Sequence, residues 1–340
     1  MKSSGILRHT PSALTTLFAL IVFLAGTAHA DCRGCCSGHG GVTCSGGHAQ
    51  CADQTPLSPA CRAKDCAPCD TGAVSSRRGL SAPSEPLTIA NFNIQVFGRS
   101  KAGKPEVMET LGAIISQFDV VAIQEIRDKS GQAIKALEKE VDALGQDYQV
   151  VLGPRLGRTA SKEQYAFMYR SETLEYLRSY TYDDSREDRF HRDPFIARFK
   201  AKHGNFSFVL ITLHTDPDEA TAEINALPEV VADARAHFPE EPHLLILGDL
   251  NADCAYYDED DTSSALRSPN YRWLITNAMD TNLAASTCTY DRIIITAETA
   301  PYAPDKAKVF RFDQAFGLSP KQAKAVSDHY PVYGTFTPTE

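Results

Sequence analysis

LTIANFNIQVFGRSKAGKPEVMETLGAIISQFDVVAIQEIRD, residues 87–128, decides the fold. It opens on an extended run, LTIANFNI (87–94). Val107, Leu111, Ile114, Ile115 and Phe118 then recur at the spacing that makes one face of a helix. VVAIQ (120–124) follows as a continuous apolar run, the pattern of a strand buried on both faces. Downstream the alternation continues. A second helix turns Ile134, Leu137, Val141 and Leu144 inward, and strands are expected at YQVVL (148–152), YAFMYR (165–170), FIARFK (195–200) and FSFVLITL (206–213). A third helix carries Ile224, Leu227, Val231 and Phe238, with Pro228 expected to kink or bound it. HLLILGD (243–249) leads into the longest polar insertion, and DRIIIT (291–296) and YPVYGTF (330–336) supply the last strands. About 250 residues in this order suit one α/β domain, residues 87–337, with helices packed outside sheets. There is no internal repeat.

Upstream the composition changes. Residues 1–30 have a basic start (Lys2, Arg8), an apolar run from Leu14 to Ala25, and Ala28-His29-Ala30, the small-x-small pattern of a cleaved export signal. The run is shorter than the ~20 apolar residues a spanning helix needs, so cleavage after Ala30 is expected and stable membrane insertion is not. An extracellular or periplasmic location follows. Cleavage removes two positive charges and no acidic ones, taking the formal net charge from −9 to −11. So acidic a chain is ill suited to tight, salt-driven, passive nucleic-acid binding, but it can still hold phosphate through divalent cations and a few arginines. Eight of the ten cysteines lie between Cys32 and Cys69, in a Gly-rich segment with few large apolar groups. Residues 31–69 therefore read as a small module that must be stapled, and export favours disulfides. Zinc held by Cys32, Cys35, Cys36, Cys44, His39 and His48 is the rival reading. The small, polar, Pro-bearing string at 70–86 reads as a linker.

Four strings carry the chemistry: IANFNI (89–94), IQEIRD (123–128), LGDLNAD (247–253) and SDHYP (327–331). Glu125, His214 and Asp249 each leave a buried strand at its carboxyl end, where α/β scaffolds display reactive groups. Asp291 and the Asp328-His329 pair precede their strands, so antiparallel strands would bring them to the same rim. Glu125, Asp249 and Asp328 offer carboxylates, and Asn93 and Asn251 offer neutral amides, a hard-oxygen set suited to Mg²⁺, Mn²⁺ or Ca²⁺ rather than zinc. Two histidines with carboxylate partners can move protons. Cation-assisted phosphodiester hydrolysis needs these parts: charge neutralisation on the phosphoryl oxygens, an activated water and help for the departing alkoxide. Any one string has an ordinary explanation as a cap, turn or strand end. Four in one chain argue for a site.

In the order FNI, QEIRD, GDLNAD, YDR, SDHYP the chain resembles the endonuclease/exonuclease/phosphatase superfamily. LGRTASKEQYAFMYR (156–170), TLHTDPDEATAEINAL (212–227), NADCAY (251–256) and CTYDRIII (288–295) are similar to its deoxyribonuclease I branch in particular, from Leu87 to about Thr335. The resemblance implies a four-layer α/β sandwich of two packed mixed β-sheets flanked by helices, here with a small Cys-rich N-terminal extension. It implies that Glu163 pairs with His214 and Asp291 with His329 as catalytic groups. Glu125, Asp249, Asn251, Asp328 and Asn93 would hold metal or phosphate, and Cys254 and Cys288 would be disulfide-bonded. Arg127 would enter the minor groove and Arg192 lie near backbone phosphates.

Several features depart from the branch. Ser161 stands where a tyrosine stacks in the groove, so contact is expected to lean on Arg155, Arg158 and Lys162. A second small disulfide is absent from TYDDSREDRFHRD (181–193), although Asp184, Asp188 and Asp193 remain for a structural calcium. A second calcium loop, DTNLAAST (280–287), keeps Asp280 but carries Asn282 and Ser286 in place of threonines. The implied protein is an exported, Mg²⁺- or Mn²⁺-dependent monomeric endonuclease acting on DNA with little sequence preference. The alternatives are a sphingomyelinase-like phospholipid phosphodiesterase and a non-catalytic, toxin-like binding protein that works through the Cys-rich module, whose partner the sequence does not name.

Overall fold

β3 (Leu87–Phe97) sets the plan of the molecule. Successive side chains of a strand face opposite ways. Leu87 and Ile89 accordingly enter one apolar cluster, and Ala90, Phe92 and Ile94 enter a second. β4 (Val120–Ile126) divides the same way, Val120 and Ala122 against Val121 and Ile123. Both strands belong to a sheet covered on both faces, which is why they read as unbroken apolar runs.

The computed structural model describes residues 42–45, 48–51 and 85–338. The export segment 1–30 with its cleavage point after Ala30 lies outside the described residues. So do the linker 70–86, apart from its last two residues, and nearly all of the Cys-rich module 31–69. Of that module the description covers two short antiparallel strands, β1 (Val42–Ser45) and β2 (His48–Cys51).

The sheet built on β3 and β4 also contains β5 (Tyr148–Leu152), β6 (Gln164–Arg170), β13 (Lys308–Val309) and β14 (Val332–Phe336), in the order β13-β14-β3-β4-β6-β5. A second six-stranded sheet is formed by β7 (Leu174–Thr181), β8 (Phe195–Ala201), β9 (Ser207–His214), β10 (Leu244–Asp249), β11 (Tyr271–Trp273) and β12 (Asp291–Thr296). Its order is β11-β12-β10-β9-β8-β7. Each sheet is mixed: β3 and β4 are parallel, as are β9 and β10, while the remaining neighbours are antiparallel. The sheets pack face to face, β10 and β12 lying against β3, β4 and β14.

Helices α1 (Arg99–Ala102), α2 (Pro105–Ile115), α3 (Gln132–Asp142), α5 (Phe312–Ala315) and α6 (Pro320–Val326) belong to the side of the first sheet. Leu111, Ile114, Leu137, Val141, Phe312 and Val326 fill the cluster beneath them. α4 (Ala220–His237) buries Ile224, Leu227 and Val231 against the second sheet. The result is the four-layer α/β sandwich expected from the sequence.

Three local differences have physical causes. Pro228 lies inside α4 rather than at its boundary; the helix continues because the apolar face around it remains buried, at the loss of one backbone donor. β7 escaped the sequence reading because more than half of it is exposed or half-buried and its LEYLRSYT pattern is broken by a register shift. α6 carries a readable signal, a capping box between Ser319 and Gln322 with Pro320 at the first helical position. That helix delivers SDHYP to its place.

Cys254 and Cys288 are bonded, with Cα atoms 5.9 Å apart and a sequence separation of 34. They join the loop after β10 to the entry of β12. Closing a loop of this length contributes about 3–4 kcal/mol in the chain-entropy account, so reduction is expected to lower the melting temperature by roughly 10 °C. A melting curve unmoved by reductant would mean that the crosslink adds nothing to stability.

Candidate active site

The period-2 alternation that buries Leu87 and Ile89 between the sheets continues to Asn91 and Asn93 on the same face, and β4 does likewise with Gln124. At this end the apolar core gives way to amides that pair across the two sheets. Asn91 Nδ2 donates to Asp291 Oδ1 at 3.0 Å, Asn93 Nδ2 to Asp249 Oδ2 at 2.8 Å, and Gln124 Nε2 to Thr212 Oγ1 at 2.9 Å. Register completes the rim. Asp249 pairs with His214 in parallel β9 and with Asp291 in antiparallel β12, as the strand directions inferred from sequence require. Gly248 is the residue that permits it, because a Cβ there would fall 2.0 Å from the Leu213 carbonyl oxygen.

Glu125 reaches the rim through a bulge. The β3–β4 register shifts after Asn93, with Val96 at φ 48° and Glu125 at φ 60°, both in the left-handed region that β-branched and long side chains avoid. The strain is held by the Val96 N–H donating to Glu125 Oε2 at 2.9 Å and the Asn93 amide donating to Glu125 Oε1 at 3.2 Å. Asn251 is also left-handed, at φ 46°. Its N–H donates to Asp249 Oδ1 at 3.2 Å and its Nδ2 to the Thr215 carbonyl at 3.1 Å.

Each histidine is gripped at Nδ1 by a fully buried carboxylate. His214 Nδ1 lies 2.9 Å from Glu163 Oε1, and His329 Nδ1 lies 2.8 Å from Asp291 Oδ2. Their Nε2 atoms converge on one oxygen, Asp249 Oδ2, at 3.6 and 3.5 Å. Asp328 stands at the solvent side, 3.9 Å from His329 Nε2, and accepts from Gln95.

Burial alone would depress both imidazoles. For His329 the carboxylates of Asp291 and Asp249 override burial and raise it to about 10, and for His214 Glu163 and Asp249 act in the same direction. Burial pushes Asp291 up to about 6 despite the His329 charge. Burial also opposes ionisation of Glu163 and Asp249, but His214 with Arg192 and Arg127 holds the first below the usual carboxylate range, and His329 with His214 holds the second there.

The arginines named from the sequence all have partners within the protein. Arg127 is half-exposed at the rim and donates to Ser161, the residue standing in the tyrosine's place. Arg192 is buried: its guanidinium donates to the carbonyls of His214 and Thr215 and pairs with Glu163 at 2.8 Å. Arg158 is spent on Asp188 at 3.0 Å and Glu219 at 2.6 Å.

Most of the acids assigned to structural calcium also make contacts within the protein. Asp184 is buried and accepts the Phe190 N–H at 2.7 Å, Asp188 pairs with Arg158, and Asp193 is raised by burial and by the neighbouring Asp184 and Asp188. Asp280 accepts the Asn282 and Cys288 N–H groups.

Sequence reading passed over several supporting residues. Asn91 and Gln124 were signalled only by being polar inside apolar strands. Ser327 is fully buried; its hydroxyl donates to the Asn93 carbonyl at 2.7 Å and accepts the N–H groups of Gln95 and His329. Thr281 Oγ1 accepts the N–H groups of Tyr290 and Asp291.

Comparison with known proteins agrees with this geometry. The model of the Endonuclease/Exonuclease/phosphatase family matches residues 90–329. Deoxyribonuclease-1 of Homo sapiens is 37% identical over 274 residues, covering 77% of this chain and 96% of that protein. Deoxyribonuclease-1 of Bos taurus is 36% identical over 282 residues, covering 78% and 98%. Among solved structures, an endonuclease/exonuclease/phosphatase from Bacteroides vulgatus superposes with a TM-score of 0.53 at 15% identity, covering 74% of this chain and 98% of its own, a likeness of fold.

Proposed function

Because this chain belongs to the endonuclease/exonuclease/phosphatase family as a deoxyribonuclease I-like member, we propose that it is an exported, divalent-cation-dependent endonuclease that hydrolyses DNA with little sequence preference. One observation carries the chemistry: two carboxylate-backed imidazoles present Nε2 to the same oxygen of Asp249, beside amides and acids suited to a hard cation.

The donor set fits magnesium or manganese. Asn93 Oδ1 is buried without a hydrogen-bond partner, and Glu125 and Asp249 flank the same amide. Asn251 and Asp328 complete the oxygen donors at the rim, and among the described residues no free thiolate lies there. When bound, the cation neutralises the phosphoryl oxygens and lowers the pKa of coordinated water.

Two Nε2 atoms handle the protons. With Nδ1–H donated to its carboxylate, a neutral imidazole takes a proton from the attacking water at Nε2, while the other, protonated at Nε2, gives one to the leaving 3′ oxygen. Water's oxygen bonds to phosphorus as the P–O3′ bond breaks, leaving a 5′ phosphate and a 3′ hydroxyl. Glu163 and Asp291 fix the ring orientations and stabilise the imidazolium. In a strongly acidic protein, passive attraction to DNA is weak, so turnover rather than tight retention is the expected behaviour.

A lipid substrate is less well supported. The exposed large apolar side chains among the described residues, Val96, Leu152, Leu177 and Tyr256, lie on separate elements and form no membrane-facing loop. A non-catalytic role through the Cys-rich module leaves unexplained why five buried or half-buried groups, Glu163, His214, Asp249, Asp291 and His329, are held in register. The test is incubation of purified mature protein with supercoiled plasmid and, separately, with sphingomyelin vesicles, with magnesium and with chelator. Nicked plasmid that disappears on chelation is expected; intact plasmid alongside hydrolysed sphingomyelin would replace this reading with the lipid one.

A further inference from the structure

We propose that Arg127 is a positioning residue of the catalytic centre, tying the His214–Glu163 pair to Glu125, in addition to any contact it makes with substrate. The inference rests on the nuclease reading for its kinetic consequence and on geometry for its cause. Glu163 is fully buried, and its two oxygens are served unequally. Oε1 meets His214 Nδ1 at 2.9 Å and Arg192 Nε at 2.8 Å. Oε2 has no hydrogen-bond partner, and the cation beside it is Arg127, with Nε at 3.3 Å.

The same guanidinium turns Nη2 to Glu125 Oε2 at 3.4 Å. Glu125 Oε1 is held by the Asn93 amide, which also holds Asp249. A planar fork spans two carboxylates from separate nitrogens in fixed geometry, which the single nitrogen of an ammonium does not reproduce. The fork is kept from swinging away by Nη1, which donates to the Ser161 hydroxyl and carbonyl, and the backbone that carries it is fixed by the Arg127 N–H donating to the Phe97 carbonyl at 2.8 Å. Arg127 thus sits between the carboxylate that orients one proton-handling imidazole and a carboxylate of the cation site. Removing it leaves Glu163 Oε2 without its facing cation while Arg192 and His214 still serve Oε1, and leaves Glu125 held by the Val96 N–H and the Asn93 amide alone.

A rim arginine that only touches DNA alters KM. One wired to Glu163 and Glu125 alters kcat. Steady-state cleavage of a short DNA duplex in magnesium should therefore show kcat of Arg127→Ala lowered about 100-fold with KM changed by no more than about threefold. Arg127→Lys should recover only a small part of the loss, and added guanidinium ion should restore Arg127→Ala better than ammonium at equal ionic strength. A second measurement does not need turnover. In cation-free protein the Nδ1–H proton of His214, held by Glu163, should give a downfield NMR signal that persists in the unmutated protein and is lost by exchange in Arg127→Ala. A raised KM with kcat within about threefold of the parent, or a His214 signal unchanged by the substitution, would overturn the inference. An unmutated protein that leaves the duplex uncut would instead overturn the nuclease reading, and the NMR comparison would then decide the role of Arg127 alone.

Discussion

Replacing His329 or His214 by alanine is expected to lower turnover on plasmid DNA by orders of magnitude, beyond the ~10²–10⁴ usual for a single general acid or base. The reason is that in the proposed mechanism the two imidazoles act together on one phosphate. Their Nε2 atoms stand 3.6 and 3.5 Å from Asp249 Oδ2, so neither is a spare for the other. Groups that work as a unit fail as a unit, and the double variant should be little slower than the worse single one. A substrate with sulfur in place of the bridging 3′ oxygen separates the roles, because a thiolate leaves without a proton. The variant lacking the general acid should regain most of its rate on that substrate, and the variant lacking the base should not. Near-parental cutting by both single variants would remove both assignments.

The parts of this site that were legible in the sequence are those a strand's geometry fixes. Glu125, His214 and Asp249 end buried runs, and the inference that Asp291 and His329 reach the same rim needed only antiparallel β12 and β14. Pairings between sheets were not legible, because nothing local in IANFNI tells Asn91 that its partner lies 200 residues away. The internal partners of Arg192 and Arg158 were hidden for a related reason. An arginine in a polar loop reads as available to solvent, whereas the folded loops bring buried carbonyls and acids within reach first. Helix α4 passing through Pro228 is a case of tertiary burial overriding a local breaker. The polar insertion after β10 was the least informative stretch of the catalytic body, yet it contributes half of the Cys254–Cys288 crosslink.

Asp249→Asn should be at least as damaging as loss of a histidine while leaving the protein folded. The amide fills nearly the same volume, so the Asn93 and Asn251 contacts can be partly kept, but the charge that organises the centre is gone. Three consequences follow from its sign. The carboxylate is one of the causes that raise both imidazoles, after Asp291 for His329 and after Glu163 for His214. Without it both lose protons at lower pH, and the limb of the rate profile that reports the general acid should move down in pH. A proposed cation ligand is lost as well, so the magnesium concentration giving half-maximal rate should rise. Combined loss of proton affinity and cation charge should cost roughly 10³-fold or more in kcat. Stability should fall modestly, because His329 and His214 hold the buried Asp249 carboxylate below the usual carboxylate range, so its charge favours the folded state at neutral pH, and relief of its repulsion with Asp291 returns only part of that. A single cooperative melting transition only slightly below that of the parent, measured in chelator, together with a collapsed rate, would distinguish a lost site from a damaged fold. Activity within about tenfold of the parent would mean that the oxygen on which both imidazoles converge is not the centre of the chemistry.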